Sequence, residues 1–260
     1  MSRLKIFAKG NLDVRDSLHS LWLGRALQWN GINEILRERH PGVQAHVRHE
    51  TLVRSDALLE TTGAIPEGLL SRDLPLGAHS IALQFSDALF RTDADAIVLS
   101  LQADVQIPVV RHRLHNYVLY PNHWSAWRSE DQAWLHAEFV AGSILDHDTS
   151  MANFAGIIER VRAHTQAPIL IYNMSSVVRG DNVHAFDGME DTITTRIRRF
   201  NLGLIDLSKS TGISVIDVDT IVARQGADFL KFDTTHLSRD GCRAVAGEVV
   251  RVLDELGCLS

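Results

Sequence analysis

Apolar residues gather into five short runs along the chain, at 4–8, 43–52, 96–101, 168–172 and 213–218. The second run alternates loosely with polar positions. Ala96-Ile97-Val98-Leu99 and Ile169-Leu170-Ile171-Tyr172 are nearly continuous. A strand that is apolar at every position is buried on both faces, which is the mark of a parallel sheet covered by helices. Between the runs the period changes. Residues 16–39 carry Leu18, Leu21, Trp22, Leu27, Ile32, Ile35 and Leu36 at helical spacing, with Gly24 and Gly31 as potential breaks. Residues 148–165 carry Met151, Phe154, Ile157, Ile158 and Val161, and residues 192–211 carry Ile193, Ile197, Phe200, Leu204 and Leu207. A last stripe at 239–256 holds Val245, Val249, Val252 and Leu253. Strands alternating with helices from end to end predict an α/β fold over residues 1–260, built on one five-stranded parallel sheet.

Two stretches between strands, 53–95 and 102–147, are too long for simple connections and read as insertions with short helices of their own. The second contains an aromatic and histidine-rich segment, 117–134. Core or interface packing accounts for such clusters, and a substrate lid is the alternative.

In open parallel sheets ligands bind beyond the carboxyl ends of the strands. Four segments therefore matter for chemistry: 9–16, 102–105, 173–177 and 231–237. The last reads Phe232-Asp233-Thr234-Thr235-His236-Leu237-Ser238-Arg239-Asp240-Gly241. An Asp and a His three apart, just before a helix, have a plain logic. The imidazole serves as general base, while the carboxylate accepts its other N–H, fixes the tautomer and stabilises the imidazolium. Ser238 has the place of a helix cap and Gly241 permits close packing. A loop in which both side chains only bond backbone is the plainer reading of the same letters.

Composition narrows the field little. Lys and Arg number 26 against 32 Asp and Glu, a net charge of -6, which gives no clustered cationic surface for a nucleic-acid partner. Cys242 and Cys258 are too few for a disulfide framework. The 13 histidines include the pairs His46/His49 and His112/His115, but the first pair lies in a strand-like run, where such residues point to opposite faces. No metal and no cofactor are expected. No charged and apolar leader precedes the first strand, and no apolar run approaches the roughly 20 residues of a membrane span. A cytoplasmic protein acting on a small molecule, without a membrane partner, is the expectation; the oligomeric state is open.

The string Asp233-Thr234-Thr235-His236-Leu237-Ser238-x-x-Gly241, followed by an amphipathic helix, resembles the last block of the SGNH (GDSL-like) hydrolase superfamily. The order of elements before it is similar as well. The resemblance implies a flavodoxin-like three-layer α/β/α sandwich. It also implies that Asp233 and His236 are the acid and base of a Ser-His-Asp triad acting on an ester or acyl group, as in the esterases, lipases, deacetylases and acyltransferases of that family.

The other family blocks are altered. The nucleophile should follow the first strand in Gly-Asp-Ser, where this chain has Gly10-Asn11-Leu12-Asp13-Val14-Arg15-Asp16-Ser17-Leu18. Aligned on Gly10, Asn11 takes the Asp slot and Leu12, which cannot attack a carbonyl, takes the nucleophile slot. Aligned on Asp16-Ser17-Leu18, Ser17 becomes the nucleophile. In the third block Gln102 takes a Gly slot and Asp104 the slot of the oxyanion-donating Asn; Gln102 can donate through its amide, whereas an ionised Asp104 repels an oxyanion. Thr51-Leu52-Val53-Arg54 stands where a second-block glycine is expected. Asn173 and Ser175 end the fourth strand, Arg15 is placed to bind an anionic ligand group or to pair with Asp13 or Asp16, and the loop 181–187, with His184 and Phe186, resembles a variable loop that contacts substrate. Three readings remain open. One is a hydrolase or acyltransferase using Ser17, His236 and Asp233. Another is a serine-free enzyme with Asp13, Asp104, Asp233 and His236 converging. The third is a ligand-binding protein without catalysis.

Overall fold

The computed structural model describes residues 2–23, 25–177, 192–233 and 235–259. The loop 181–187, with His184 and Phe186, and Thr234 lie outside the described residues.

The chain opens with strand β1, Ser2–Lys9, and helix α1, Leu12–Leu18. A two-stranded antiparallel ribbon follows, β2 (Ser20–Leu23) with β3 (Ala26–Asn30), then α2 (Ile32–Arg39). The helical pattern read over 16–39 is therefore the end of α1, then β2, β3 and α2. Gly31 explains the second break. Its φ is +71°, a conformation that L side chains rarely adopt, and a Cβ there would lie 2.4 Å from the Leu18 carbonyl oxygen.

Next come β4 (Val43–Glu50) and α3 (Ser55–Glu60), followed by β5 (Ala96–Ser100) and the short helix α4 (Gln102–Gln106). Strands β6 (Val110–His112), β7 (Val118–Leu119) and β8 (Phe139–Ala141) form a small antiparallel sheet, with α5 (Ser129–Glu138) preceding β8. Then follow α6 (His147–Arg162), β9 (Ile169–Tyr172), α7 (Ile193–Thr211) and β10 (Ser214–Ile216). Two short helices, α8 (Val218–Gln225) and α9 (Ala227–Leu230), lead to the terminal α10 (Arg239–Glu255).

The five apolar runs are the five strands of one sheet, ordered β10-β9-β5-β1-β4, with every pairing parallel. This is a doubly wound flavodoxin-like order, whose switch point falls between β1 and β5. Neighbouring positions on a strand serve opposite layers. Ile6, Ala8, Val98, Leu170 and Tyr172 join a core with Ile35, Leu36, Val245 and Val249 from α2 and α10. Phe7, Ile97, Leu99, Ile169 and Ile171 join the other core, with Phe154, Ile157, Ile197 and Phe200 from α6 and α7. That two-sided demand is why these strands read as continuous apolar runs.

The long stretches 53–95 and 102–147 build a third core together. Leu69, Leu74 and Leu76 from the first pack on Leu119, Trp127, Leu135 and Phe139 from the second. The aromatics of 117–134 serve this core: Trp127 is buried in it and Tyr117 and Trp134 pack against it. Among the described residues no helix is long and apolar enough to cross a membrane.

Candidate active site

The loop between α9 and α10 is pinned at both ends. Lys231 and Leu237 form an isolated antiparallel bridge, Phe232 N–H donates to the His236 carbonyl at 2.9 Å, and Ser238 N–H donates to the Leu230 carbonyl at 2.7 Å. Ser238 is also the N-cap of α10, its hydroxyl oxygen accepting from Gly241 N–H at 3.1 Å. Gly241 has no room for a side chain, since a Cβ would sit 2.2 Å from the Leu230 carbonyl oxygen.

Within this clamp Asp233 and His236 meet. Asp233 Oδ2 lies 2.6 Å from His236 Nδ1, and Asp233 Oδ1 accepts from the backbone N–H groups of Thr235 and His236, both at 2.8 Å. Partial burial alone would raise the Asp233 pKa. The two backbone donors and the imidazole outweigh it and bring it down to about 2, so the carboxylate is ionised at neutral pH. In a neutral ring the shared proton sits on Nδ1, which leaves the Nε2 lone pair free. Nε2 has no hydrogen-bond partner among the described residues, and the His236 side chain is 41% exposed. The pair thus presents an oriented imidazole with an open face, the arrangement that a general base requires.

Sequence reasoning passed over Lys231 in this loop. It is buried, its Nζ donates to the Val177 carbonyl at 3.0 Å, and no carboxylate among the described residues lies within ion-pair distance. Burial lowers its pKa to about 8 against the opposing pull of Asp233 and Asp219. The signal was available: a lysine two residues before the aspartate, at the start of the loop.

The β1–α1 turn is different in kind. Ser17 does not occupy the position of a nucleophile. It lies in the last turn of α1, fully buried, with Oγ 2.8 Å from the Asp13 carbonyl oxygen, 3.1 Å from that of Val14 and 3.0 Å from Tyr172 Oη. Its single proton goes to a carbonyl, which leaves the Tyr172 hydroxyl to donate to Oγ. Back-bonding to the preceding turn is ordinary for a helical serine. The register on Gly10 is the structural one: β1 ends at Lys9, Asn11 is the N-cap of α1 and Leu12 its first residue.

The predicted carboxylate cluster does not form either. Among the described residues no three His, Cys, Asp or Glu side chains come together as a metal site. Asp13 spans the switch point, accepting a hydrogen bond from the Ser100 hydroxyl at the end of β5. Its other oxygen is buried without a partner among the described residues, as is Asn11 Oδ1. Burial pushes the Asp13 pKa up, opposed by the Ser100 hydroxyl; a second carboxylate plays no part. Asp104 is spent on structure. It accepts from the Ser55 N–H at 2.7 Å, the Ser55 hydroxyl and the Ser150 hydroxyl at 2.6 Å, tying α3 and α6 to α4. Burial raises its pKa to about 6.

The remaining predicted contacts are also accounted for. Arg15 pairs with Asp16 at 2.7 Å. Asn173 donates to Asp217 at 2.8 Å and accepts from Asp219 N–H at 3.1 Å, bracing the turn after β10. Gln102 is buried at the start of α4, and its N–H donates to the Ser100 hydroxyl at 3.0 Å. His49, at the end of β4, was missed: its Nε2 donates to the Gly10 carbonyl at 2.9 Å, and burial lowers its pKa to about 4, so the ring is a neutral strut under the turn.

Sheet order defines a flavodoxin-like α/β/α scaffold, and comparison with solved structures agrees. A lipolytic protein of the G-D-S-L family from Veillonella parvula DSM 2008 has a TM-score of 0.50 at 13% identity, over 96% of this chain and 98% of that one. An α/β hydrolase enzyme from the metagenome of Lake Arreo, Spain, has a TM-score of 0.51 at 13% identity, over 99% and 96%. An acetylxylan esterase from Geobacillus stearothermophilus has a TM-score of 0.50 at 12% identity, over 95% and 93%. At such identities the likeness is one of fold. No family model and no curated protein matches the chain.

Proposed function

We propose that this protein is an ester hydrolase of SGNH type in which the Asp233–His236 dyad is the general base and no serine of the β1–α1 turn is the nucleophile. The observation that carries the reading is the dyad itself: a 2.6 Å carboxylate–imidazole pair with Nε2 free, in a pinned and solvent-accessible loop. The fold supports the reaction class, since the solved proteins that share it include a lipolytic protein and an acetylxylan esterase.

The chemistry follows from the dyad. His236 Nε2 takes a proton from a water molecule as its oxygen attacks the ester carbonyl. Asp233 stabilises the imidazolium, and the same proton passes to the leaving alkoxide as the C–O bond breaks. The products are a carboxylic acid and an alcohol. If the hydroxyl of a second small molecule replaces water, the same steps transfer the acyl group, so acyl transfer is the companion activity. Exposed Phe229 and Phe232 flank the dyad in the chain, at 60% and 68% exposure, and offer apolar contact to an acyl group. Gln102, Asn11 and Asp13 are the polar groups of the neighbouring strand ends in this reading.

A panel of acetyl and longer acyl esters, assayed with wild type and His236→Ala, tests it. Hydrolysis that disappears in a folded variant supports the dyad. Hydrolysis that survives removes His236 from the mechanism. A folded wild type inactive on every ester and acyl acceptor would make the chain a ligand-binding relative.

A further inference from the structure

Away from the dyad loop, a cavity of about 340 Å³ opens between the end of α4, the 142–145 segment and the first turn of α7. Its wall is aliphatic: Val105, Ile107, Val109, Ile144 and Leu145. Two arginines, both almost fully buried, line it as well, and they differ. Arg54 has its own carboxylate, since its Nε and one amino group bind the two oxygens of Asp56, and its other amino group donates to the Ser143 carbonyl at 2.7 Å. Arg196 has none. Its Nε donates to the Val105 carbonyl at 3.0 Å, and Nη2 donates to the carbonyls of Asp104 and Leu145 at 2.9 and 2.5 Å.

The Nη1 amino group of Arg196 has no hydrogen-bond partner among the described residues. The residue lines the cavity although it is only 7% exposed. Burial pulls the Arg196 pKa down against the opposing pull of Asp104 and Asp146, neither of which lies within ion-pair distance. Asp104, the acid of the cavity wall, already accepts three hydrogen bonds from Ser55 and Ser150. A buried guanidinium with an unused pair of donors calls for an oxyanion, which it binds more strongly than a neutral acceptor. An aliphatic wall without aromatic rings suits an alkyl chain, and the volume lies at the small end of ligand pockets.

The geometry points to a binding site for a short aliphatic carboxylate, held by Arg196 Nη1 with its chain along Val105, Ile107, Val109 and Ile144. None of its lining residues belongs to the dyad loop, so the site is separate from the proposed catalytic one.

Calorimetric titration of the full chain with sodium butyrate tests this, with butyramide at equal ionic strength as the uncharged counterpart. Butyrate is expected to bind saturably, one per chain, and butyramide at least about ten-fold more weakly. His236→Ala leaves butyrate binding unchanged. Arg196→Gln weakens it at least about ten-fold. Because Arg196 also braces backbone carbonyls, Ile144→Glu is the second variant. Position 144 is 52% exposed, so the fold tolerates the change, and the new carboxylate at the mouth repels the ligand. Equal binding of butyrate and butyramide, no saturable binding, loss of binding in His236→Ala, or binding that survives Arg196→Gln and Ile144→Glu would each overturn the assignment.

Discussion

The β1–α1 turn and the loop between α9 and α10 are the two segments where the sequence points to chemistry, and they have gone opposite ways. In the loop, Asp233 and His236 keep a 2.6 Å contact and His236 stays 41% exposed. Its rigidity comes from backbone bonds and from Gly241 packed on the Leu230 carbonyl, so the side chains are free to react. In the turn, most polar groups are tied into the fold, although Asn11 Oδ1 and one oxygen of Asp13 have no partner among the described residues. Ser17 is bonded to its own helix and to Tyr172, Asp13 to Ser100, and Gly10 to His49. A polar residue whose hydrogen bonds are all satisfied inside the protein stabilises it; one left with an open, oriented atom can do chemistry.

The sharpest way to break the comparison is to remove the open atom. His236→Ala is expected to lower ester hydrolysis by roughly 10²–10⁴-fold, the usual worth of a general base, with little change in melting temperature. Asp233→Asn should lower kcat in the same direction, because the imidazole loses its orienting acceptor. Rates on an activated acetyl ester, with circular dichroism as the folding control, check both. A loss of less than about ten-fold in His236→Ala would place the chemistry elsewhere.

The buried carboxylate should show itself in stability instead. Asp104 has its pKa raised from 3.8 to about 6, so the folded state holds a proton that the unfolded chain has already lost. Its contribution is fully present below pH 4 and is lost as pH rises to about 6, a change of about 3 kcal/mol at roughly 1.4 kcal/mol per pK unit. Urea denaturation of wild type and Asp104→Asn across pH 3.5–7 (about the window of the shift) reads it, since the slope is expected to be steeper in the wild type, while Asp13 contributes in both chains. A variant with the same slope would show that another group carries it.

Ser17→Ala sharpens the contrast from the other side. It strips the Tyr172 hydroxyl of a buried partner and is expected to cost about 1–3 kcal/mol of stability with activity retained. Loss of activity in a stable variant would restore Ser17 to the mechanism.

The smallest effect concerns Lys231, which belongs to the dyad loop and is buried like the turn. Its pKa is lowered to about 8, below the unfolded value of 10.5, so the unfolded chain holds the extra proton between those values and stability rises with pH there. Lys231→Met should lack that rise and change KM or kcat only a few-fold, on the order of 1 kcal/mol. Denaturation at pH about 7.5 and about 10 separates the two chains.

The sheet was legible because burial on both faces leaves a direct trace: Ile97 to Leu99 and Ile169 to Tyr172 must be apolar whichever way they point. The dyad loop was legible because its spacing and its cap lie within ten consecutive residues, from Phe232 to Gly241. The ribbon of β2 and β3 was not, since Leu18, Leu21, Trp22 and Leu27 fit a helical stripe until Gly31 is seen at positive φ. The fates of Asp104, Asn173 and Asp13 were hidden for a different reason. Each meets partners far away in sequence, Ser55 and Ser150, Asp217 and Asp219, and Ser100, and a local pattern does not reveal which carboxylates are spent on structure.

The central claim is that the dyad works without a serine nucleophile. The most direct measurement is treatment of ester-active wild-type protein with a fluorophosphonate, followed by intact-mass analysis and peptide mapping. The account predicts full activity on the ester substrate before treatment and no covalent adduct on Ser17 or any other serine after it. A stoichiometric serine adduct that abolishes hydrolysis and fails to form in His236→Ala would contradict it.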